Sequence, residues 1–224
     1  MTSPAYSTTS GIAQQDSSLL RIVDNALADA ARRSGEHLVC RPGCTQCCHG
    51  AFAISPLDAL RLRTGMEALT ATQPAVAVAV TQRAEAYLKE YGPSFPGDPA
   101  SGILGASEEE QACFEDFANE AACPALDPAT GLCDLYAARP MTCRVFGPPV
   151  RTTSDSGDDA FSVCELCFTQ ATPEEIEAAE MHVPYVEEKQ LEEALLAGVL
   201  EAGLAGPEGE TIVAYCLVPR ATHS

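Results

Sequence analysis

The chain has no tryptophan, few aromatic residues, few basic residues and no long apolar run. Aromatic residues make up only 6% of its 224 residues, which disfavours an aromatic-rich β-sandwich, whereas the abundant alanine favours packed helices. No segment approaches the roughly 20 consecutive apolar residues that a membrane-spanning helix needs. Because 46% of the residues are hydrophobic, the chain can still build a core. These features predict a mainly α protein.

The scarcity of basic residues excludes two classes of partner. There are 13 basic residues against 32 acidic ones, which gives a formal net charge of −19. Such a field repels phosphate backbones and anionic lipid, so we expect no nucleic-acid partner and no membrane partner. The N-terminal sequence also lacks the basic and apolar regions of a secretory signal. The expected location is therefore the cytoplasm, where thiols stay reduced.

Cysteine is the residue type that the sequence has in excess. There are 11 cysteines, and an odd number cannot be completely paired in disulfides. A chain of this size with this apolar content also does not need disulfides to hold a small scaffold together. Metal binding is therefore the leading explanation.

Helix caps, prolines and apolar periodicity predict the order of the elements. We expect a flexible N-terminal tail over residues 1–16 and a single cysteine-cluster domain over 17–224, with its core motif at 40–167. The predicted fold is a helical body with cysteine-rich irregular segments and a short β-hairpin that enclose a metal site. The pattern predicts helices over residues 17–34, 55–63, 74–91, 107–120, 172–182 and 186–202, loops over 92–102 and 148–160, a cysteine-bearing hairpin over 123–136 and a terminal strand over 211–218.

Two Cys-x-x-Cys pairs are the strongest local metal signal. Cys44 and Cys47 form one pair, and Cys164 and Cys167 form the other. This spacing places two thiolates on the same side of a tight turn. Cys48 directly follows Cys47, and adjacent side chains diverge by about 100° in a helix and about 180° in a strand. Cys48 therefore serves another corner of a cluster, binds a second metal or packs as a buried thiol.

Other residues near the cysteines have two interpretations each. Cys113 and Cys216 have no partner at ligand spacing, which is typical of small core residues. His49 is either an extra ligand or a hydrogen-bond donor beside the metal. Arg139 and Arg144 either screen the charge of a thiolate-bound metal or form ordinary ion pairs with carboxylates.

The cysteine pattern as a whole resembles a known family. The motif runs Cys40-x3-Cys44-x2-Cys47-Cys48, then Cys123-Pro-x-Leu, then Cys133-x2-Tyr-x2-Arg-Pro-x2-Cys143-Arg-x-Phe. It resembles the YkgJ-type cysteine-cluster family, whose members are described as chelating zinc or iron. One related branch, the flagellin lysine N-methylases, is similar to iron–sulfur enzymes that use S-adenosylmethionine.

The resemblance implies a ligand set and a cofactor. With Cys167 added from the second Cys-x-x-Cys pair, the metal ligands are Cys40, Cys44, Cys47, Cys48, Cys123, Cys133, Cys143, Cys164 and Cys167. So many thiols exceed the four of one zinc site and favour an iron–sulfur cluster, in particular [4Fe–4S], with zinc or iron ions as the alternative. A protein or peptide partner is also compatible with this site.

Three functions remain open at this level. The first is an iron–sulfur or metal-binding protein, the second is an S-adenosylmethionine-dependent enzyme that modifies a peptide or an amino-acid side chain, and the third is a zinc-stabilised interaction module. Cys40-x3-Cys44-x2-Cys47 also has the spacing of a radical S-adenosylmethionine motif, but the alternating strands and helices of that barrel are missing. A thiol–disulfide oxidoreductase is disfavoured because no thioredoxin-like βαβ pattern accompanies the Cys-x-x-Cys pairs.

Overall fold

A computed structural model describes residues 4–153, 159–201 and 209–219. Residues 1–3 of the predicted tail, residues 154–158 of the predicted loop, residue 202 of the predicted last helix and His223 lie outside the described residues. The described elements, in chain order, are α1 (Pro4–Ser34), α2 (Pro56–Thr72), α3 (Pro74–Tyr91), β1 (Gly97–Asp98), β2 (Ile103–Leu104), α4 (Glu108–Glu115), α5 (Met141–Val145), β3 (Val150–Thr153), β4 (Asp159–Ser162), α6 (Pro173–Ala178), α7 (Tyr185–Glu201) and α8 (Val213–Cys216).

The prediction of a mainly α fold is confirmed. Helices dominate, and the described strands form two small antiparallel pairs, β1 with β2 and β3 with β4. None of the helices within the described ranges is both long enough and apolar enough to cross a membrane.

The chain divides into two compact units, and each is built from two separate stretches of sequence. Unit 1 combines Met1–Arg41 with Met141–Leu204, and unit 2 combines Pro42–Pro140 with Ala205–Ser224. The single domain expected over residues 17–224 stays a prediction.

Helix α1 organises unit 1 through one apolar face. Ile12, Leu19, Val23 and Ala30 are buried at intervals of seven, four and seven residues, which places them on one side of the helix. This side packs against α5, α6 and α7. Helix α7 contributes Leu191 and Leu195, which are one turn apart and buried. Apolar burial along one long helix therefore holds this unit together.

Helix α1 begins earlier than the sequence pattern predicts. The prediction placed its start at residue 17, but the helix begins at Pro4, so residues 4–16, which were assigned to the tail, are helical. A proline is tolerated in the first turn because its missing N–H would have no helical partner there, and the burial of Ile12 extends the apolar face. The predicted end is confirmed, since Gly35 adopts φ +51° directly after the helix.

Helices α2, α3 and α8 form the main core of unit 2. Its centre contains the fully buried side chains of Ile54, Leu62 and Val80. Cys216 is buried in the same cluster, which confirms its prediction as a core residue. A second, aromatic cluster contains Tyr87, Phe95, Phe117 and neighbouring rings.

Helix α2 begins where its cap predicts. The Ser55 hydroxyl accepts a hydrogen bond from the Asp58 backbone N–H at 3.2 Å, and Pro56 occupies the first turn. The helix continues to Thr72, beyond the predicted end near residue 63, because the next strong stop is Pro74, which disfavours helical backbone at the residue before it. Helix α3 matches its predicted bounds of 74–91.

Each of the two loops predicted from the sequence contributes residues to a short antiparallel pair of strands. Strands β1 and β2 lie within or just beyond the predicted loop at 92–102, whereas β3 lies inside the predicted loop at 148–160 and β4 begins near its end. Arg151 faces Phe161 directly across the second pair, and its guanidinium lies 4.8 Å from the ring centroid. A cross-strand contact of this kind stabilises a pair whose sequence carries little alternation of apolar and polar residues.

The predicted terminal strand over residues 211–218 is wrong. Thr211 alone pairs with Ile54, through backbone hydrogen bonds of 3.0 and 2.8 Å, and the chain then turns into α8. A short apolar run does not distinguish a strand from a buried helical turn. Here Val213 and Cys216 are buried in the main core and Ala214 is buried in the aromatic cluster, so the side chains must point in more than two directions, which favours the helical turn.

Gly65 in α2 allows a close approach between backbone segments of unit 2. A Cβ built at Gly65 would lie 2.3 Å from the Cβ of Ala138, which cannot rotate away. We expect Gly65→Ala to lower the free energy of unfolding by about 1–3 kcal/mol, because overpacking outweighs the better helix propensity of alanine. Gly11→Ala in α1 is the matched control, since a Cβ there meets nothing within 4 Å. It should raise stability by up to about 1 kcal/mol in urea unfolding; equal effects of the two changes would contradict this explanation.

Candidate metal centre

The nine predicted ligands are divided between the two units. Unit 1 contains Cys40, Cys143, Cys164 and Cys167, and unit 2 contains Cys44, Cys47, Cys48, Cys123 and Cys133. The single set of ligands predicted from the sequence thus corresponds to two groups of cysteines, one in each unit.

Backbone pairing in unit 2 brings Cys48 beside Cys123. Residues Gln46–Cys48 form a 3₁₀ turn in which the Cys48 N–H donates to the Thr45 carbonyl at 2.8 Å. The chain then becomes extended, and His49 pairs antiparallel with Ala122. The Cys123 N–H donates to the Cys48 carbonyl at 2.7 Å. Two cysteines that are far apart in the sequence therefore become backbone neighbours.

A hairpin joins Cys123 to Cys133, as predicted. Leu126 pairs with Cys133, the Asp127 N–H donates to the Leu132 carbonyl, and the Asp134 N–H donates to the Ala125 carbonyl, both at 2.8 Å. Its turn is closed by the Asp127 carboxylate, which accepts hydrogen bonds from the Ala129 N–H and the Thr130 hydroxyl at 3.0 and 2.6 Å. The hairpin returns the chain from one cysteine to the other.

The thiols of Cys47 and Cys48 contact each other. A hydrogen bond with the Cys48 thiol raises the pKa of Cys47 far above its ordinary value, and burial adds to this effect. The sequence analysis expected these side chains to diverge. They meet because the 3₁₀ turn ends at Cys48 and the backbone becomes extended at His49, so the angular spacing of a continuous helix does not apply.

Electrostatic interactions connect these two cysteines with the hairpin. Burial, together with a smaller effect of the neighbouring Cys133, raises the pKa of Cys123 to about 11. Burial likewise raises the pKa of Cys133, on which Cys47 acts in the same direction. Cys47, Cys48, Cys123 and Cys133 thus form one group of interacting thiols, which we call the unit 2 thiol group.

Arg139 and Arg144 have different roles, although both lie near cysteines in the sequence. The guanidinium carbon of Arg139 lies 3.6 Å above the centroid of the Tyr136 ring, and its Nε–H donates to the Tyr136 carbonyl at 3.0 Å. From there its charge acts to lower the pKa of Cys47 and of Cys133. Arg144 is buried and forms an ion pair with Asp24 at 2.7 Å. Charge screening therefore suits Arg139, and an ordinary ion pair is observed for Arg144.

In unit 1, the second Cys-x-x-Cys pair forms a buried turn. The Cys167 N–H donates to the Cys164 carbonyl at 2.8 Å, and both side chains pack with Phe168 and Leu38. Phe168 adopts φ 59°, and its N–H donates to the His37 carbonyl at 2.9 Å. The backbone just before Cys40 is thereby attached to this turn.

Gly147 lies against the same segment of unit 1. A Cβ built at Gly147 would stand 3.3 Å from the Leu38 side chain and 3.9 Å from the Cβ of Cys40. Gly147 adopts φ +126°, a conformation that favours glycine. Cys143 lies in α5, four residues before this glycine. The local fold therefore gathers the segments that carry all four cysteines of unit 1.

The remaining cysteine and histidine predictions have mixed outcomes. Cys113 lies exposed on α4, so its prediction as a core residue is wrong; the short helix leaves that side chain without a covering element. His49 is exposed. His37 stacks on Phe168 with ring centroids 5.6 Å apart and lies 3.6 Å from the Glu175 carboxylate.

The thiols suit a soft metal by donor type, although they are not arranged as a finished coordination sphere. Within residues 4–153, 159–201 and 209–219, no three histidine, cysteine, aspartate or glutamate side chains converge on one point as they would around an ion. In the unit 2 thiol group, hydrogen bonding and burial favour protonated thiols. Metal binding would require thiolates and would release these protons. Thiolate sulfur is the preferred donor of zinc and of iron–sulfur clusters, so the donor set fits such a group.

Sequence reasoning missed two residues of α3 that support this group. Arg83 donates to the Pro124 carbonyl at 2.8 Å and pairs with Asp134. Tyr87, one turn further along α3, lines a small pocket together with Cys123 and Pro124. No spacing signal connects α3 with the cysteines, because the contacts arise only when the core brings the helix against the hairpin.

Comparison with known proteins agrees with this geometry. Residues 39–165 match the model of the CxxCxxCC family, whose description is "Putative zinc- or iron-chelating domain". No curated protein and no solved structure matches the chain. The cysteine-rich segments define a metal-chelating class of protein. Since the match covers more than half of the chain, the chain belongs to the CxxCxxCC family.

The charge of Arg139 yields a first test of the site. We expect Arg139→Gln to raise the pKa of Cys47 and Cys133, because it removes the positive charge that acts on both. A shift of one pKa unit means tenfold less thiolate, so alkylation of these two residues by iodoacetamide should slow by up to about tenfold. The rate is measured on metal-free protein at constant pH by mass spectrometry of the cysteine peptides. Arg32→Gln, which removes an exposed charge from α1, should leave these rates unchanged; equal slowing in both variants would count against the role of Arg139.

Proposed function

We propose that this protein binds an iron–sulfur cluster through cysteine thiolates. The observation that carries the proposal is the unit 2 thiol group, in which Cys47, Cys48, Cys123 and Cys133 interact after two separate backbone pairings bring them together. Four cysteine thiolates are the usual ligands of a [4Fe–4S] cluster. The family description, zinc or iron chelation, is consistent with this proposal.

The number of thiols favours a cluster over a single zinc ion. A structural zinc site uses four ligands, whereas unit 2 alone contributes Cys44 in addition to its thiol group, and unit 1 carries Cys40, Cys143, Cys164 and Cys167. The proposed ligand set therefore remains the full nine cysteines. An iron–sulfur cluster supplies one-electron redox chemistry when it is bound.

The residues around the thiol group are suited to holding and shielding such a group. The guanidinium of Arg139, held on the Tyr136 ring, offsets the negative charge of thiolates near Cys47 and Cys133. Cys123 and Cys133 are half-buried, which reduces the access of water to their thiols. These features control the charge and the solvation of a bound group, which are the properties that set cluster potentials.

The pocket beside Cys123 favours a binding role over a catalytic one. Apart from Cys123, its walls are built from small and apolar residues, the Tyr87 ring and Pro124. In the described part of unit 2, this pocket is lined by no carboxylate, histidine or lysine. Burial raises the pKa of its two ionisable groups, Tyr87 to about 12 and Cys123 to about 11, so neither is suited to act as a general base near neutral pH. We therefore prefer a protein that carries a cluster to an enzyme that uses S-adenosylmethionine.

The metal content decides the central claim. Protein purified under anaerobic conditions should be brown and should contain iron together with acid-labile sulfide, because a cluster bound by thiolates carries both. The measurements are visible absorption, elemental analysis and a sulfide assay on the same sample. Colourless protein with stoichiometric zinc would show that the family's other metal is the resident one.

Removing one thiol should separate ligands from other cysteines. We expect Cys133→Ser to lower metal affinity by more than the roughly 10- to 100-fold typical of residues that only support a ligand. The matched control is Cys113→Ser, because Cys113 is an exposed cysteine of the same unit. It should keep the wild-type metal content and thermal stability. Full metal retention in Cys133→Ser, measured by elemental analysis, would remove Cys133 from the ligand set.

A further inference from the structure

Arg83 contacts both arms of the cysteine hairpin at once. Its Nε–H donates to the Pro124 carbonyl at 2.8 Å, and its Nη2 lies 2.5 Å from the Asp134 carboxylate. Pro124 directly follows Cys123, and Asp134 directly follows Cys133. A single side chain is therefore bonded to the neighbour of each of two thiols.

The hairpin ladder does not constrain both cysteines equally. Cys133 pairs with Leu126 within the ladder, whereas Cys123 lies outside it, before Ala125. The bond from Arg83 to Pro124 restrains the backbone at this outer position. The bond to Asp134 restrains the opposite arm, so one rigid guanidinium adds a link between the two arms beside the backbone bonds of the ladder.

Helix α3 gives Arg83 a firm base. Val80 and Ala84, on either side of it in the helix, are fully buried in the main core of unit 2. The side chain of Arg83 is 26% exposed and that of Asp134 is 19% exposed, so the ion pair is largely withdrawn from water and keeps more of its strength than a surface pair. The core therefore holds the guanidinium in place.

The chemistry of the contact requires arginine. A guanidinium presents several N–H groups in a fixed planar fork, so it can serve a carbonyl and a carboxylate in different directions. A lysine ammonium keeps the charge but acts as a point on a flexible stem. The two contacts of Arg83 use this fork as a two-point clamp.

We propose that Arg83 is a positioning residue that sets the separation of the Cys123 and Cys133 thiols for metal binding. The proposal rests on the proposed function, since it assumes that these thiols are ligands. Arg83 itself does not touch the metal in this scheme. It acts through Pro124 and Asp134, in the way that outer hydrogen-bond partners orient the ligands of other metal sites.

The test titrates the metal-free full chain with Co(II) under anaerobic conditions. Co(II) reports tetrahedral thiolate coordination through its visible and charge-transfer absorption. A general loss of stability would lower the amount of bound Co(II) but would not change the shape of the spectrum of the bound form. We expect Arg83→Gln to weaken Co(II) binding about 10- to 100-fold and to change the spectrum of the bound form. Arg83→Lys should recover only part of the affinity. The control Lys89→Gln removes a positive charge from an exposed position of the same helix and should bind like wild type.

Asp134→Asn is a second, milder variant that removes the charge of the Arg83 partner. If metal-free Arg83→Gln does not unfold cooperatively, the Co(II) affinity and spectrum of Asp134→Asn test the clamp instead. Because the two residues act as one clamp, Arg83→Gln combined with Asp134→Asn should lose no more affinity than the weaker-binding single variant. Three results would each overturn the clamp. They are wild-type affinity and spectrum in Arg83→Gln, wild-type behaviour of Arg83→Lys, and additive losses of affinity in the double variant. Those results would leave the proposed function intact if Cys133→Ser still loses Co(II). Wild-type protein that shows no thiolate absorption with Co(II), and that contains no iron with acid-labile sulfide when it is purified under anaerobic conditions, would instead overturn the proposed function.

Discussion

The backbone hydrogen bond from the Cys123 N–H to the Cys48 carbonyl is the contact on which the thiol group of unit 2 depends. At 2.7 Å, it joins the end of the 3₁₀ turn to the start of the hairpin. The pairing of His49 with Ala122 and the bond from the Gly50 N–H to the Ala121 carbonyl extend it on one side. Because these contacts involve only main-chain atoms, side-chain changes at His49 or Ala122 do not remove them. The connection between turn and hairpin does not use the thiols, so the proposed binding of a metal by these thiols would not disrupt it.

Charge is the second constraint on this protein. A chain with a net charge of −19 is a poor environment for several thiolates, each of which adds negative charge. Two cations lie near these thiols. Arg139 packs on the Tyr136 ring and acts to lower the pKa of Cys47 and Cys133, and Arg83 pairs with Asp134, the residue after Cys133. Arg144, by contrast, neutralises a carboxylate on α1. Individual arginines therefore offset individual negative groups, although the chain as a whole keeps a large excess of negative charge.

The sequence predicted features that depend on neighbouring residues and missed those that depend on distant ones. The start of α2 and both ends of α3 follow from caps and prolines, and the Cys123–Cys133 hairpin follows from its Asp-Pro-Ala-Thr-Gly turn. The helical turn of α8 was read as a strand because its conformation is set by the core that receives it. The role of Arg83 could not be predicted from the sequence for the same reason, because its partners lie on the hairpin, far from it in the chain. For the proposed metal site, cysteine spacing predicted a set of nine ligands, which stays a prediction, whereas the division of these cysteines between two units became visible only in the fold.

The discontinuity of the two units has a consequence for how the family segment is understood. The residues by which the family is recognised, 39–165, do not include Thr211, Ile212, Val213 or Leu217, which complete the core of unit 2. They also exclude all of α1 and all of α7, which form the body of unit 1. The matched segment therefore contains most of the core of unit 2 but not the residues that complete it. During synthesis its cysteines emerge before the segment that encloses their core, so the long-range contact between Ile54 and Thr211 is among the last that unit 2 can form.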